Sequence, residues 1–137
     1  MPGQASSAGS KIGLDAKTGR ATQTARTTYA VLLTAAPTDA TTMATMAEIA
    51  TPAASGYNRQ PVTWTDPGAT EASSNSAALT FGPFTADLAA ATHVALVSAL
   101  TGTVGDFIFY WTLDTARDPI IGDSIVFAIG ALVMTEE

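Results

Sequence analysis

His93 is the sole histidine of the chain, so any serine-hydrolase triad has to run through it. It follows Thr92 at the start of an apolar run, and no serine stands in a nucleophile-elbow context: Ser98 lies in VSA and Ser76 in NSA. A packing or hydrogen-bonding histidine is therefore the expectation. Asp114, Asp118 and Asp123 fall within ten residues, a spacing that could invite a hard cation. They match no EF-hand pattern, and Pro119 with two isoleucines follows directly, so strand-flanking aspartates are expected and no metal. The chain has no cysteine, which excludes disulfides and thiolate metal sites. P-loop, GxGxxG and HExxH patterns are absent, so no nucleotide cofactor or zinc-hydrolase chemistry is expected. Tyr57, Trp64, Phe81, Phe84, Phe107, Phe109, Tyr110 and Trp111 could form a carbohydrate platform, but at these positions core packing is the expectation. Met43 and Met46 suit gap filling or interface padding. The chain reads as no enzyme.

The charged residues are few and unevenly spread. Residues 1–26 hold Lys11, Lys17, Arg20 and Arg26 against Asp15, a balance of +3, while residues 27–137 balance at −9. Lys11, Ile12, Leu14, Lys17, Arg20 and Arg26 are the candidate interface residues, on an arm able to dock on an acidic neighbour; a solubilising tail is the alternative. Nucleic acid is not expected, because four spaced cations without aromatic partners face an acidic body. The N-terminal stretch has no apolar core of the kind a secretory signal carries, and apolar runs are too short to span a membrane as helices. No membrane partner is expected.

The elements that must position these residues follow from pattern. With 137 residues, 47% hydrophobic and 13% charged, the chain suits a single domain with some of its surface covered in use. Residues 1–26, rich in Gly, Ser, Ala and Thr, read as an extended arm, disordered alone and ordered by contact. A β-domain then fills 27–137. Strands are expected at 27–34, at 57–64 (an edge or bulged strand, because of Pro61), at 76–84, at 92–100 and at 106–114. The last is the most apolar and should be covered on both faces. Residues 41–50 fit either a short helix or an irregular excursion ending in a short strand at 48–50. Loops are expected at 65–76, 85–91 and 115–123, and 124–135 gives one long strand or two short ones around Gly130. The fold class is all-β: a single β-sandwich, jelly-roll or Ig-like, with an extended N-terminal arm.

An ordered set of segments carries a family resemblance: TYAVLLTAAPTD (28–39), SGYNRQPVTW (55–64), SNSAALTFGPF (74–84), THVALVSALTG (92–102), FYWTLD (109–114) and GDSIVFAIGALVMT (122–135). Together they resemble short phage proteins labelled tail fibre proteins or virion structural proteins. The resemblance implies a virion component assembled in the host cytoplasm, with no catalytic residues. With the basic arm, the leading expectation is a capsid decoration (cement) protein, a homo-oligomer with a trimer favoured, that binds the major capsid protein or another virion protein. The alternative is a tail fibre or minor tail protein, including a receptor- or carbohydrate-binding one.

Overall fold

The computed structural model describes residues 3–21, 24–69 and 72–135. The ends of the chain, residues 22 and 23 of the expected arm, and residues 70 and 71 of the expected 65–76 loop lie outside that description. Strand β1 (Gly3–Ala5) and helix α1 (Ser7–Lys17) come first. Strands β2 (Thr28–Leu33), β3 (Gln60–Val62), β4 (Ala72–Ser74), β5 (Leu79–Phe81), β6 (Ala91–Val97), β7 (Phe107–Arg117), β8 (Ile125–Phe127) and β9 (Val133–Thr135) follow.

Five strands form an antiparallel sheet in the order β1-β7-β6-β2-β3. Two antiparallel ribbons, β4–β9 and β5–β8, supply the second layer. Between the layers Leu32, Val94, Leu96 and Trp111 of the sheet meet Leu79, Phe81, Phe127 and Leu132 from the ribbon side. The opposite sheet face is also dry: Val31, Leu33, Ala95, Val97, Phe107 and Tyr110 pack under Met43 and Met46. Burial on both faces explains why β2, β6 and β7 read as nearly continuous apolar runs. The all-β expectation and its layered arrangement hold.

The 34–47 segment resolves the helix-or-excursion alternative in favour of the excursion. Leu33 and Glu48 form an isolated bridge, and Thr34 N–H donates to the Ala47 carbonyl at 2.9 Å. Two threonine turns fold the intervening chain, with Thr41 Oγ1 accepting from Thr38 N–H and Thr45 Oγ1 from Thr42 N–H. They bring Met43 down onto the sheet. Pro61 lies on β3, an edge of the sheet, as its missing N–H requires.

Three expectations need correction. Residues 115–117 of the expected 115–123 loop continue β7, because β6 still supplies a partner there, Ala91 opposite Arg117. Residues 72–74 of the expected loop form β4, because β9 supplies a hydrogen-bonding partner that Ala-Ser-Ser does not advertise. The expected extended arm contains a strand and an eleven-residue helix. Ser6 caps that helix, its Oγ accepting from Gly9 N–H at 3.1 Å, and Lys11 pairs with Asp15 one turn on.

Candidate functional site

Strand β7 carries an irregularity that the N-terminal segment is built to fit. Its register with β6 shifts between Leu96 opposite Phe109 and Val97 opposite Phe107, leaving Ile108 as the extra residue. The shift lets Phe107 and Tyr110 share one sheet face. It also turns two carbonyls toward β1 and α1. Buried Ser6 takes both: its backbone N–H donates to the Ile108 carbonyl at 3.0 Å and its hydroxyl to the Phe107 carbonyl. Gly3 and Gly9 allow the approach. A Cβ on Gly9 would lie 2.0 Å from the Ile108 oxygen, and one on Gly3 would lie 2.1 Å from the Phe109 ring. The Tyr110 hydroxyl donates to Gln4 Oε1 at 2.6 Å, and Ser7 N–H to the Asp39 carbonyl at 3.0 Å. Sequence reading placed the interface at Lys11, Ile12, Leu14, Lys17, Arg20 and Arg26 and missed these small residues. Their signal is faint: glycines and a serine in a stretch that composition marks as flexible.

The candidate interface residues are only partly brought together. Lys11 and Arg20 both turn to Asp15 of their own segment, with Arg20 Nε 3.7 Å from Asp15 Oδ1. Arg26 reaches the body, its Nη1 standing 2.9 Å from Asp106 Oδ2 in an exposed pair. Lys17 is exposed in the last turn of α1; Ile12 is half-buried and Leu14 is 60% exposed. An open depression of ≈ 600 Å³ lies beside the helix, lined by Ser7, Ser10, Lys11, Asp15, Arg20 and Asp39 among others.

Inside the domain, the buried polar side chains serve the scaffold. Arg59 is 2% exposed and grips Glu48 with Nε at 2.8 Å and Nη2 at 2.7 Å. Its remaining donors reach the carbonyls of Ala99 and Gly102 in the β6–β7 turn. The Tyr57 hydroxyl donates to Glu48 Oε1 at 2.9 Å and accepts from Leu32 N–H at 3.2 Å. Burial and the neighbouring carboxylate push that hydroxyl well above the usual phenol range, while the hydrogen bond to Glu48 raises Arg59. This cluster was missed in the sequence. Buried Asn75 stands where β4 passes to β5 and β8 to β9. Its Nδ2 donates to the Ala77 and Ala128 carbonyls, and its Oδ1 accepts from Leu132 N–H.

The other candidates fall into structural places. Seven of the eight aromatics considered as a platform are buried, and Trp64 is half-buried and stacked on Trp111 with centroids 6.3 Å apart. A carbohydrate platform built from these rings is thereby excluded. Asp114, Asp118 and Asp123 are exposed, and among the described residues no group of three or more His, Asp or Glu is placed to hold a metal.

His93 sits on β6 between Leu33 and Thr112, with Nδ1 2.8 Å from Thr92 Oγ1. Burial lowers its pKa below the ordinary imidazole value. The unfolded chain then binds the proton more readily, so this contribution to stability is present above about pH 6.5. It is lost as pH falls through the folded-state value. Thermal midpoints measured from pH 7 down to pH 5 should fall more steeply for the native chain than for His93→Gln. Parallel curves would remove His93 from the acid response.

Taken together, these features define a layered all-β domain whose interior polar groups hold its own backbone, with a basic segment docked on one strand. The family model described as Podophage GP4 fiber I protein gp80 matches residues 5–135, and the chain belongs to that family. It is a structural protein of a bacteriophage virion. No curated protein matches it.

Proposed function

We propose that the protein is a subunit of a podophage tail fibre, a non-enzymatic β-module whose copies pack against one another and against a neighbouring virion protein. The observation that carries this reading is the family match, which spans nearly the whole chain and describes a fibre. It favours the fibre alternative over capsid decoration. Two structural features support it. The buried arginine and asparagine are fully engaged with backbone and carboxylate partners, an arrangement suited to rigidity. On the ribbon side, Ile121, Val126 and Ile129 are more than half exposed, apolar side chains available to a contacting subunit.

Copy number tests it. Quantitative mass spectrometry of purified particles should give a stoichiometry that is a small multiple of the tail's rotational symmetry, and antibody labelling should decorate the fibres. A count scaling with the number of capsomers, with label spread over the shell, would overturn the fibre reading and restore decoration.

A further inference from the structure

The N-terminal segment is held to its own body in an unusual way. Its tight contacts are all at one end: Gly3 against Phe109 and Trp111, Ser6 on the carbonyls of the β7 bulge, Gly9 against Ile108, and Ser7 on Asp39. Beyond them α1 has no buried residue and leaves Leu14 60% exposed. The described residues that follow, 18–21 and 24–27, are exposed throughout. The seat is thus specific, while the described residues that follow it meet the body through the exposed Arg26–Asp106 pair.

We propose that in the assembled fibre residues 3–17 of one copy occupy the β7 seat of a second copy, an exchange of β1 and α1 between subunits. The proposal rests on the reading above that copies assemble together. Every contact in the seat is the same whichever copy supplies the segment, so the balance between closed and exchanged forms is left to the connection and the helix surroundings. Two observations tip that balance. The exchanged segment carries +1 and, with Arg20 and Arg26 after it, +3 against −9 for the rest of the chain, so each segment is attracted to a neighbouring body as well as to its own. Within one chain Lys11 and Arg20 turn back to Asp15, while Arg26 meets Asp106 of the body. A helix held at the junction of two bodies also gains a second surface against which Leu14 can be covered. High local concentration of seats along a fibre favours the exchanged form further.

The absence of cysteine gives a clean background for a test. Ser7 and Asp39 are both exposed, and the 3.0 Å hydrogen bond from Ser7 N–H to the Asp39 carbonyl places them side by side. A Ser7→Cys, Asp39→Cys double variant is assembled, oxidised and run on a denaturing gel without reductant. Most chains should appear as covalent dimers and higher oligomers. An equal mixture of the two single variants, refolded together, should give dimers in which peptide mass spectrometry finds position 7 joined to position 39. Monomers with an internal link, or no link at either position in assembled protein, would overturn the exchange. The outcome separates from the fibre reading. Internal links in a protein that labels fibres sink the exchange alone, and intermolecular links in a protein that labels the shell sink the fibre alone.

Discussion

Replacing Glu48 with Ala should lower the stability of the domain by about 3–5 kcal/mol, the loss expected when one partner of a buried ion pair is removed. Arg59 is 2% exposed and presents Nε and Nη2 to the two carboxylate oxygens at 2.8 and 2.7 Å, a planar two-pronged match. Without the carboxylate, the guanidinium keeps its charge in a site that water barely reaches, and the Tyr57 hydroxyl loses its acceptor. The double variant Glu48→Met, Arg59→Met should recover much of the loss, because removing both charges also removes the cost of burying them. Urea unfolding of the native chain, Glu48→Met, Arg59→Met and the double variant gives the coupling directly. A double variant as unstable as the sum of its parents would show that the pair does not act as a unit.

Trp111→Ala should be comparably damaging, at about 3–5 kcal/mol for truncating a large buried aromatic. Trp111 is fully buried on β7, 4.9 Å from the Phe109 ring and stacked on Trp64. Its Nε1 donates to the Val133 carbonyl at 2.8 Å, so one side chain joins the sheet to β9. Trp111→Phe separates the two contributions: it keeps most of the packing and leaves the Val133 carbonyl without its donor. That variant should lose clearly less than Trp111→Ala in the same unfolding measurement. Near-native stability of Trp111→Ala would mean that the ring is not a core residue.

Legibility in the sequence tracked how much of an element's stabilisation its own residues carry. β2, β6 and β7 stand out because TYAVLL, ATHVALV and FIFYWTL are apolar enough to be buried wherever they lie. Pro61 narrowed β3 to an edge or a bulge, and the pairing makes it an edge. β4 could not be read, since Ala-Ser-Ser becomes a strand only when β9 lies beside it. The N-terminal helix was masked by its glycines, one of which is spent on the contact with Ile108 rather than on flexibility. The Glu48–Arg59 pair closes across irregular chain and a single tight turn, and no local pattern announces a partner eleven residues away. The aromatic residues were placed correctly in the core because burial follows from size and apolarity, whereas the seat for Ser6 depends on a bulge that only pairing reveals.

Asn75 has a mechanical consequence. Because it grips Ala77, Ala128 and Leu132, and its own carbonyl accepts from Gly130 N–H, the two ribbons meet at one knot. A pull on β9 is therefore transmitted through that knot to β5 and β8, and the ribbons share the load instead of peeling away in turn. Under load the layer therefore behaves as a plate rather than as two loose straps.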